Sequence, residues 1–246
     1  MSKIILVSVY NYGCIDLALN FLESLKRFNL ADKHVSYVTD EKSFEVLKEK
    51  GYNVELFNEF GITEEKMDFE QKDFVKLCYI RYSIFHKLLH TYDYVWCLDV
   101  DTVVLGDIVS YFLNSSYVDC DITYQLDLDS FCGGCFVLKS NAKTKAFVKQ
   151  IFEARNNKIN EQRYIMSIFN LLGASNPLKI GAFGLYSFIN GGIYFGDGHQ
   201  EYKHQLKEST DPVYFVHANY MVGIDTKIKA LKEKGLWYLD DNSVKN

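Results

Sequence analysis

Proline is nearly absent, with 2 in 246 residues, and this excludes a proline-rich linker or a low-complexity tail. Positive charge is also scarce. Only 27 Lys and Arg stand against 32 Asp and Glu, a net charge of −5, and they are scattered instead of forming a stripe, so nucleic acid is not an expected partner. No apolar run approaches the roughly 20 residues of a membrane helix, and the opening SKIILVSVY has no small-residue cleavage site, so neither a transmembrane nor a targeting segment is expected. The six cysteines give one Cys-x-x-Cys, Cys132 and Cys135, without the second pair that zinc would need. They sit mostly in apolar runs and read as buried packing thiols in a reducing, cytoplasmic compartment. Both glycine-rich phosphate cradles are missing, because the first strand is followed by YNYGC, which is neither GxGxxG nor GxxxxGK[ST].

What remains is 48% hydrophobic and 15% aromatic, enough for one globular domain over residues 1–246, with halves at 1–105 and 106–246. Lys3 to Val9, His34 to Val38 and Asn53 to Phe57 read as strands. Helices are expected over Ile15 to Phe28 and Ser43 to Lys50, the second closed by Gly51. That alternation predicts an α/β fold with a mostly parallel sheet flanked by helices. Asn58 to Asp73 reads as a loop or short helix, and Phe74 to His90 as a helix feeding a fourth strand. Strands at Cys120 to Gln125 and Gly133 to Lys139, helices at Asn141 to Ala154 and Asn160 to Leu171, a glycine-rich stretch from Gly181 to Gly198, a strand ending at His217 and a helix over Asp225 to Lys234 complete the pattern.

The fourth strand, Tyr94 to Leu98, is apolar throughout and runs into Asp99-Val100-Asp101. Residues two apart in an extended segment share a side, so both carboxylates project into one small volume and repel unless a cation lies between them. Hard oxygen ligands suit Mg²⁺ or Mn²⁺, and two carboxylates leave positions open for phosphate oxygens. Ligands of open α/β sheets bind beyond the carboxyl ends of the strands, where Asn11, Tyr12, Asp40, Asp99 and Asp101 are expected to gather.

LDVDTVVLGDI, then FCGGCFVLKS, then NEQ, then VHANYMVG with Lys227 beyond, resembles in order the landmarks of GT-A fold nucleotide-diphospho-sugar glycosyltransferases, within them the glycogenin-like and plant-type groups. The opening SVYNYGCIDLALNFLESLKRF also looks like that family's start. The resemblance implies a small second sheet and a C-terminal helix. It makes Asp99, Asp101 and His217 ligands of Mn²⁺ (or Mg²⁺), with Asp99 also able to contact ribose and Val100 the nucleoside. Lys227, with Lys229 nearby, would bind diphosphate, and Asn219 and Gly223 fit the plant-type pattern. Gly133 and Gly134 would let the donor sugar rest on the backbone. Glu161 and Gln162 match the family's Asp-Gln pair beneath the sugar, where an oxygen stabilises an oxocarbenium-like carbon. Lys76, preferred over Arg81, would face the diphosphate, and Tyr10 or Tyr12 would stack on uracil beside Asn11.

The implied activity is metal-dependent transfer from a UDP-sugar, or a GDP-sugar, to a glycan or glycoprotein acceptor, with retention of configuration. Compact forms are similar to enzymes of bacteria and large algal DNA viruses, which implies a soluble protein of the cytoplasm, the host's if virus-encoded. Two other readings compete. DVDTVV also satisfies the Asp-x-Asp-x-Thr/Val motif of haloacid-dehalogenase-type phosphatases, although that motif usually occupies a first strand. A sugar-nucleotide-binding module without turnover would use the same residues. The acceptor pocket is expected from the loops Asn58 to Asp73 and Gly181 to Gly198.

Overall fold

The computed structural model describes residues 2–67, 71–128, 130–156, 159–196 and 200–239. Residues 68–70 and 197–198 of the two expected acceptor loops lie outside the described residues. The first half is β1 (Ile4–Tyr10), α1 (Ile15–Lys26), β2 (His34–Val38), α2 (Glu41–Glu49), β3 (Val54–Leu56), α3 (Lys72–Leu88) and β4 (Tyr94–Leu98). Next come β5 (Thr102–Val104), α4 (Ile108–Leu113), β6 (Ile122–Asp127), β7 (Ser130–Lys139), α5 (Ala142–Glu153) and α6 (Glu161–Leu172). The chain continues through β8 (Ile180–Ala182), β9 (Phe188–Ile189), α7 (Gly191–Tyr194), α8 (Gln200–Glu208), β10 (Phe215–His217) and α9 (Ile224–Glu233).

Among the described residues, seven strands form one sheet in the order β3-β2-β1-β4-β7-β6-β8, and β5-β10-β9 form a second, small sheet. Only β7 runs against the large sheet's direction, through its antiparallel pairing with β4 and β6. β4 shows why the sheet is covered on both faces. Tyr94, Trp96 and Leu98 join the core beneath α1, whereas Val95 and Cys97 join the core beneath α3, α5 and α6, the strict alternation of a pleated strand. Trp96 is fully buried and stacks on Phe183 with ring centroids 5.4 Å apart. The cysteines are free, and Cys132 and Cys135 are both buried.

The small sheet departs from the sequence reading in detail. Its strands are two or three residues long, too short to show a period, and β5 follows the aspartates as if it were a continuation of β4. The glycine-rich stretch likewise contains β8, β9 and α7.

A polar link crosses the centre of the large sheet. Ser8 Oγ donates to the carbonyl of Leu98 at 2.7 Å, so its single proton is committed and it must accept from His34 Nε2 at 3.0 Å. Burial pushes the His34 imidazole down to about 3, well below the usual 6.5. The unfolded chain therefore takes up a proton near pH 6.5 that the native state refuses until about pH 3, and stability falls with falling pH across that window. Wild type is expected to lose about 1.4 kcal/mol per pH unit below pH 6 relative to His34→Gln. Urea denaturation of both proteins between pH 5 and 7 checks this; parallel pH profiles would refute it.

Candidate metal and donor site

Strands β1 and β4 are adjacent and parallel, yet the chain leaves β1 toward β2 on one side and returns to β4 on the other. The resulting crevice at their carboxyl ends is the place where such sheets bind ligands. Asp99 is the first residue beyond β4, with its N–H donated to the Gly134 carbonyl of β7 at 2.7 Å. β5 then pairs antiparallel with β10, setting Thr102 opposite His217, and the Asp101 carbonyl accepts from Ala218 N at 2.8 Å. One carboxylate oxygen each from Asp99 and Asp101 and one ring nitrogen of His217 lie within 4.8 Å of one another.

Gly134 makes this convergence sterically feasible. A Cβ there would sit 2.5 Å from Asp99 Oδ2 and 2.5 Å from His217 Cε1. Its missing side chain is thus needed first by the acidic cluster.

The proton inventory is well defined. Gln125 is fully buried, and its amide nitrogen donates to the Phe188 carbonyl at 3.3 Å, which turns Oε1 toward His217 Nδ1 at 3.0 Å. Nδ1 must therefore carry a proton, and Nε2 faces Asp101 Oδ1 at 3.1 Å. Lys227 Nζ donates to the other oxygen, Asp101 Oδ2, at 2.6 Å. Burial opposes charge on all three groups, but their mutual attraction wins: Asp101 is held far below the usual carboxylate range, and His217 is lifted well above the usual histidine value. As arranged, His217 is an imidazolium. The donor set fits a divalent cation such as Mn²⁺ or Mg²⁺: two hard carboxylates, and an imidazole whose Nδ1 partner leaves Nε2 to ligate once its proton is displaced.

A second network adjoins the first. Arg81, 4% exposed, donates to Asp99 Oδ1 at 3.0 Å, to the Gly133 carbonyl at 2.6 Å and to Glu161 Oε1 at 3.3 Å. Tyr82 donates to the same Glu161 oxygen at 2.6 Å. Burial raises the Glu161 carboxyl above its usual value even though Arg81 opposes this. Gln162 accepts from Gly133 N at 3.0 Å and donates to Asp127 at 3.1 Å, while Asn219 donates to Asp127 at 3.2 Å and accepts from Gly191 N at 2.6 Å.

Apart from Tyr82, Gln125 and Gly191, which stand behind it, these groups line a cavity of about 370 Å³ that also takes in Tyr10, Val100, Gly223 and Lys227. Five expected residues, Asn11, Tyr12, Asp40, Lys76 and Lys229, are placed elsewhere. Lys76 Nζ is committed to the Phe60 carbonyl, leaving Arg81 as the helix's cation at the site. Asn11 is buried and donates to the carbonyls of Thr63 and Glu65. Tyr12 donates its N–H to Asp40, which also caps α2, and its ring lies under Lys42. Lys229 pairs with Glu233 on the outer face of α9. Gln125 and Asp127 escaped the sequence reading, because nothing local marks them. Arg81 carries a signal: it interrupts the apolar and aromatic run Leu77 to Tyr82 with a charge.

Residues 29–231 match the family model described as nucleotide-diphospho-sugar transferase. Among curated proteins, the chain is 22% identical to the UDP-galactose:fucoside alpha-3-galactosyltransferase of Dictyostelium discoideum, over 97% of this chain and 44% of that protein. It is 24% identical to the UDP-D-xylose:L-fucose alpha-1,3-D-xylosyltransferase 3 of Arabidopsis thaliana, over 63% of this chain and 43% of that protein. The chain thus spans less than half the length of these relatives. Among solved structures, a glycosyltransferase involved in glycosylation of the major capsid of PBCV-1 superposes with a TM-score of 0.56 at 13% identity, covering 94% of this chain and 99% of that one.

The Arg81 network makes a stability prediction. Arg81→Met strands Glu161 in the interior and is expected to cost about 3–5 kcal/mol. Adding Glu161→Gln should recover a large part of that loss, as read by chemical denaturation of both single variants and the double. Strict additivity would show that the two side chains do not depend on each other.

Proposed function

We infer the function from one premise: the chain belongs to the nucleotide-diphospho-sugar transferase family. It transfers a sugar from a UDP-sugar to a hydroxyl of a glycan, with retention, using a divalent cation held by Asp99, Asp101 and His217. The observation that carries this reading is the convergence of those three side chains within 4.8 Å at the carboxyl end of β4. The relatives' names, which give UDP donors, alpha linkages and fucose acceptors, support a UDP-sugar, retention and a glycan acceptor here. The phosphatase alternative has no support in the family match.

In this reading the nucleoside lies against Tyr10 and the Val100 backbone, and the sugar rests over Gly133 beside Gln162. Lys227, within reach of Asp101, is shared with the diphosphate. A bound cation supplies charge that offsets the negative charge gathering on the departing diphosphate. The bond from the anomeric carbon to the diphosphate oxygen breaks, the acceptor oxygen bonds to that carbon, and the acceptor's proton passes to the diphosphate. Gln162 is the catalytic residue nearest that carbon. Its amide is oriented by Gly133 N and Asp127, which leaves a carbonyl lone pair to stabilise the oxocarbenium-like state. Glu161 acts by holding Arg81 in place.

The test is UDP release from a panel of UDP- and GDP-sugars. Release should require Mn²⁺ or Mg²⁺, stop with chelator and fall at least 100-fold in kcat/KM in Asp101→Asn and His217→Ala. UDP binding without turnover of any donor would instead support a binding module, and neither binding nor turnover would end the reading. Gly134→Ala pushes a methyl into Asp99 and His217, so Mn²⁺ affinity measured by electron paramagnetic resonance should drop at least tenfold while the protein stays folded. Unchanged affinity would separate the cluster from the metal.

A further inference from the structure

We infer that His86 and His90 form a second metal site, away from the cavity, for a divalent transition ion of the kind imidazole prefers: Zn²⁺, Ni²⁺ or Cu²⁺. They are the only two of the six histidines placed four positions apart. His86 lies in the last turn of α3, and the winding runs on past it, with Leu89 N donating to the Phe85 carbonyl at 2.9 Å and His90 N to the Lys87 carbonyl at 3.2 Å. Residues four apart on such a winding share a face. The two rings accordingly meet, with centroids 5.1 Å apart and planes at 74°.

That separation is the one a shared ion needs. A nitrogen–metal bond of about 2.0 Å sets an imidazole centroid about 3.2 Å from the ion, and two imidazoles on one tetrahedral ion then have centroids about 5.2 Å apart. Only the ring planes have to turn. The Cβ–Cγ bond of histidine points close to the ring centre, so rotation about this broad torsion aims a nitrogen at the ion while the centroid stays in place. Neither ring has a hydrogen-bond or ion-pair partner among the described residues, so turning breaks no polar contact.

The donor set decides which ion. Two imidazoles without a carboxylate oxygen favour Zn²⁺, Ni²⁺ and Cu²⁺ over Mg²⁺ and Mn²⁺, the reverse of the Asp99, Asp101 and His217 group, and water completes the shell. Burial, then His90, Lys149 and Lys145, hold His86 below the usual histidine value, so at neutral pH it presents a lone pair instead of a charge. Lys145 and Lys149 of α5 also repel an ion. The Lys149 side chain is 65% exposed and lies 3.8 Å from Glu153, so solvent and that carboxylate weaken its repulsion. The negative end of α3 favours a cation at its last turn. Bound there, the ion joins that turn to the one leading into β4.

The experiment titrates tag-free protein with NiCl₂ alone, by calorimetry at neutral pH. Wild type should bind an ion that His86→Gln and His90→Gln each weaken at least about tenfold, since losing a ligand costs no less than losing a residue behind one. Asp101→Asn with His217→Ala, which disables the first site, should leave that binding unchanged. Acidification should abolish it, because both imidazoles must be deprotonated to ligate. Cu²⁺ is the spectroscopic probe: electron paramagnetic resonance should show coupling to two ring nitrogens in wild type and to one in His90→Gln. Both histidines lie at the surface end of α3, so wild type against His86→Gln decides the matter even where the Asp101 and His217 variant does not fold. Ni²⁺ binding that neither histidine substitution weakens, or none at all, would overturn the site.

Discussion

The negative charge of Asp101, brought to 9% exposure at the edge of the core, is the constraint that organises this molecule. An unpaired carboxylate there would cost several kcal/mol. Its two cationic partners lie far along the chain, His217 at the end of β10 and Lys227 on α9. The small sheet and the C-terminal helix therefore have to dock before Asp101 is compensated, and the site cannot form ahead of the tertiary fold.

Asp99 connects this arrangement to a second one. Its carboxylate faces the His217–Asp101 pair on one side and accepts from Arg81 on the other, and Arg81 in turn holds Glu161 and the Gly133 carbonyl. Within the two networks, Asp99, Asp101 and Glu161 are set against Arg81, Lys227 and His217, while Asp127, held by Gln162 and Asn219, adds a further carboxylate. In the proposed reading, a cation held here would take the place of the proton on His217 Nε2 and would offset the negative charge of a diphosphate. Gln125 would keep the Nδ1–H in place in either state.

The legible part of the sequence is the part that local physics dictates. β2 and β4 begin and end where the apolar runs do, and α1, α3, α5, α6 and α9 lie within two residues of their periodic segments. The two aspartates could be named because charge at the end of an apolar strand is locally anomalous, whereas His217 was named only through the family resemblance. Lys76 and Arg81 were harder to separate. Both lie on α3, and the difference is rotational: Leu77, Cys78 and Arg81 face the cavity, whereas Lys76 turns to the Phe60 carbonyl. Gln125 and Asp127 were hidden for a stricter reason. Their roles come from the pairing of β6 with β7 and from contacts to residues 35 or more positions away, which no local window contains.

The segment from His217 to Gly223 is where these constraints meet. It leaves β10 at His217, passes through Asn219, which bonds both Asp127 and Gly191, and enters α9 through Gly223 at φ 88°. Only glycine accepts that conformation without strain. α9 then returns Lys227 to Asp101, closing a ring of contacts around the segment. The segment is thus fixed at both ends and in its middle, and His217 and the cavity wall that follows it share the same supports. In this way the charge of one buried aspartate ties His217, Lys227 and the cavity wall between them into one arrangement.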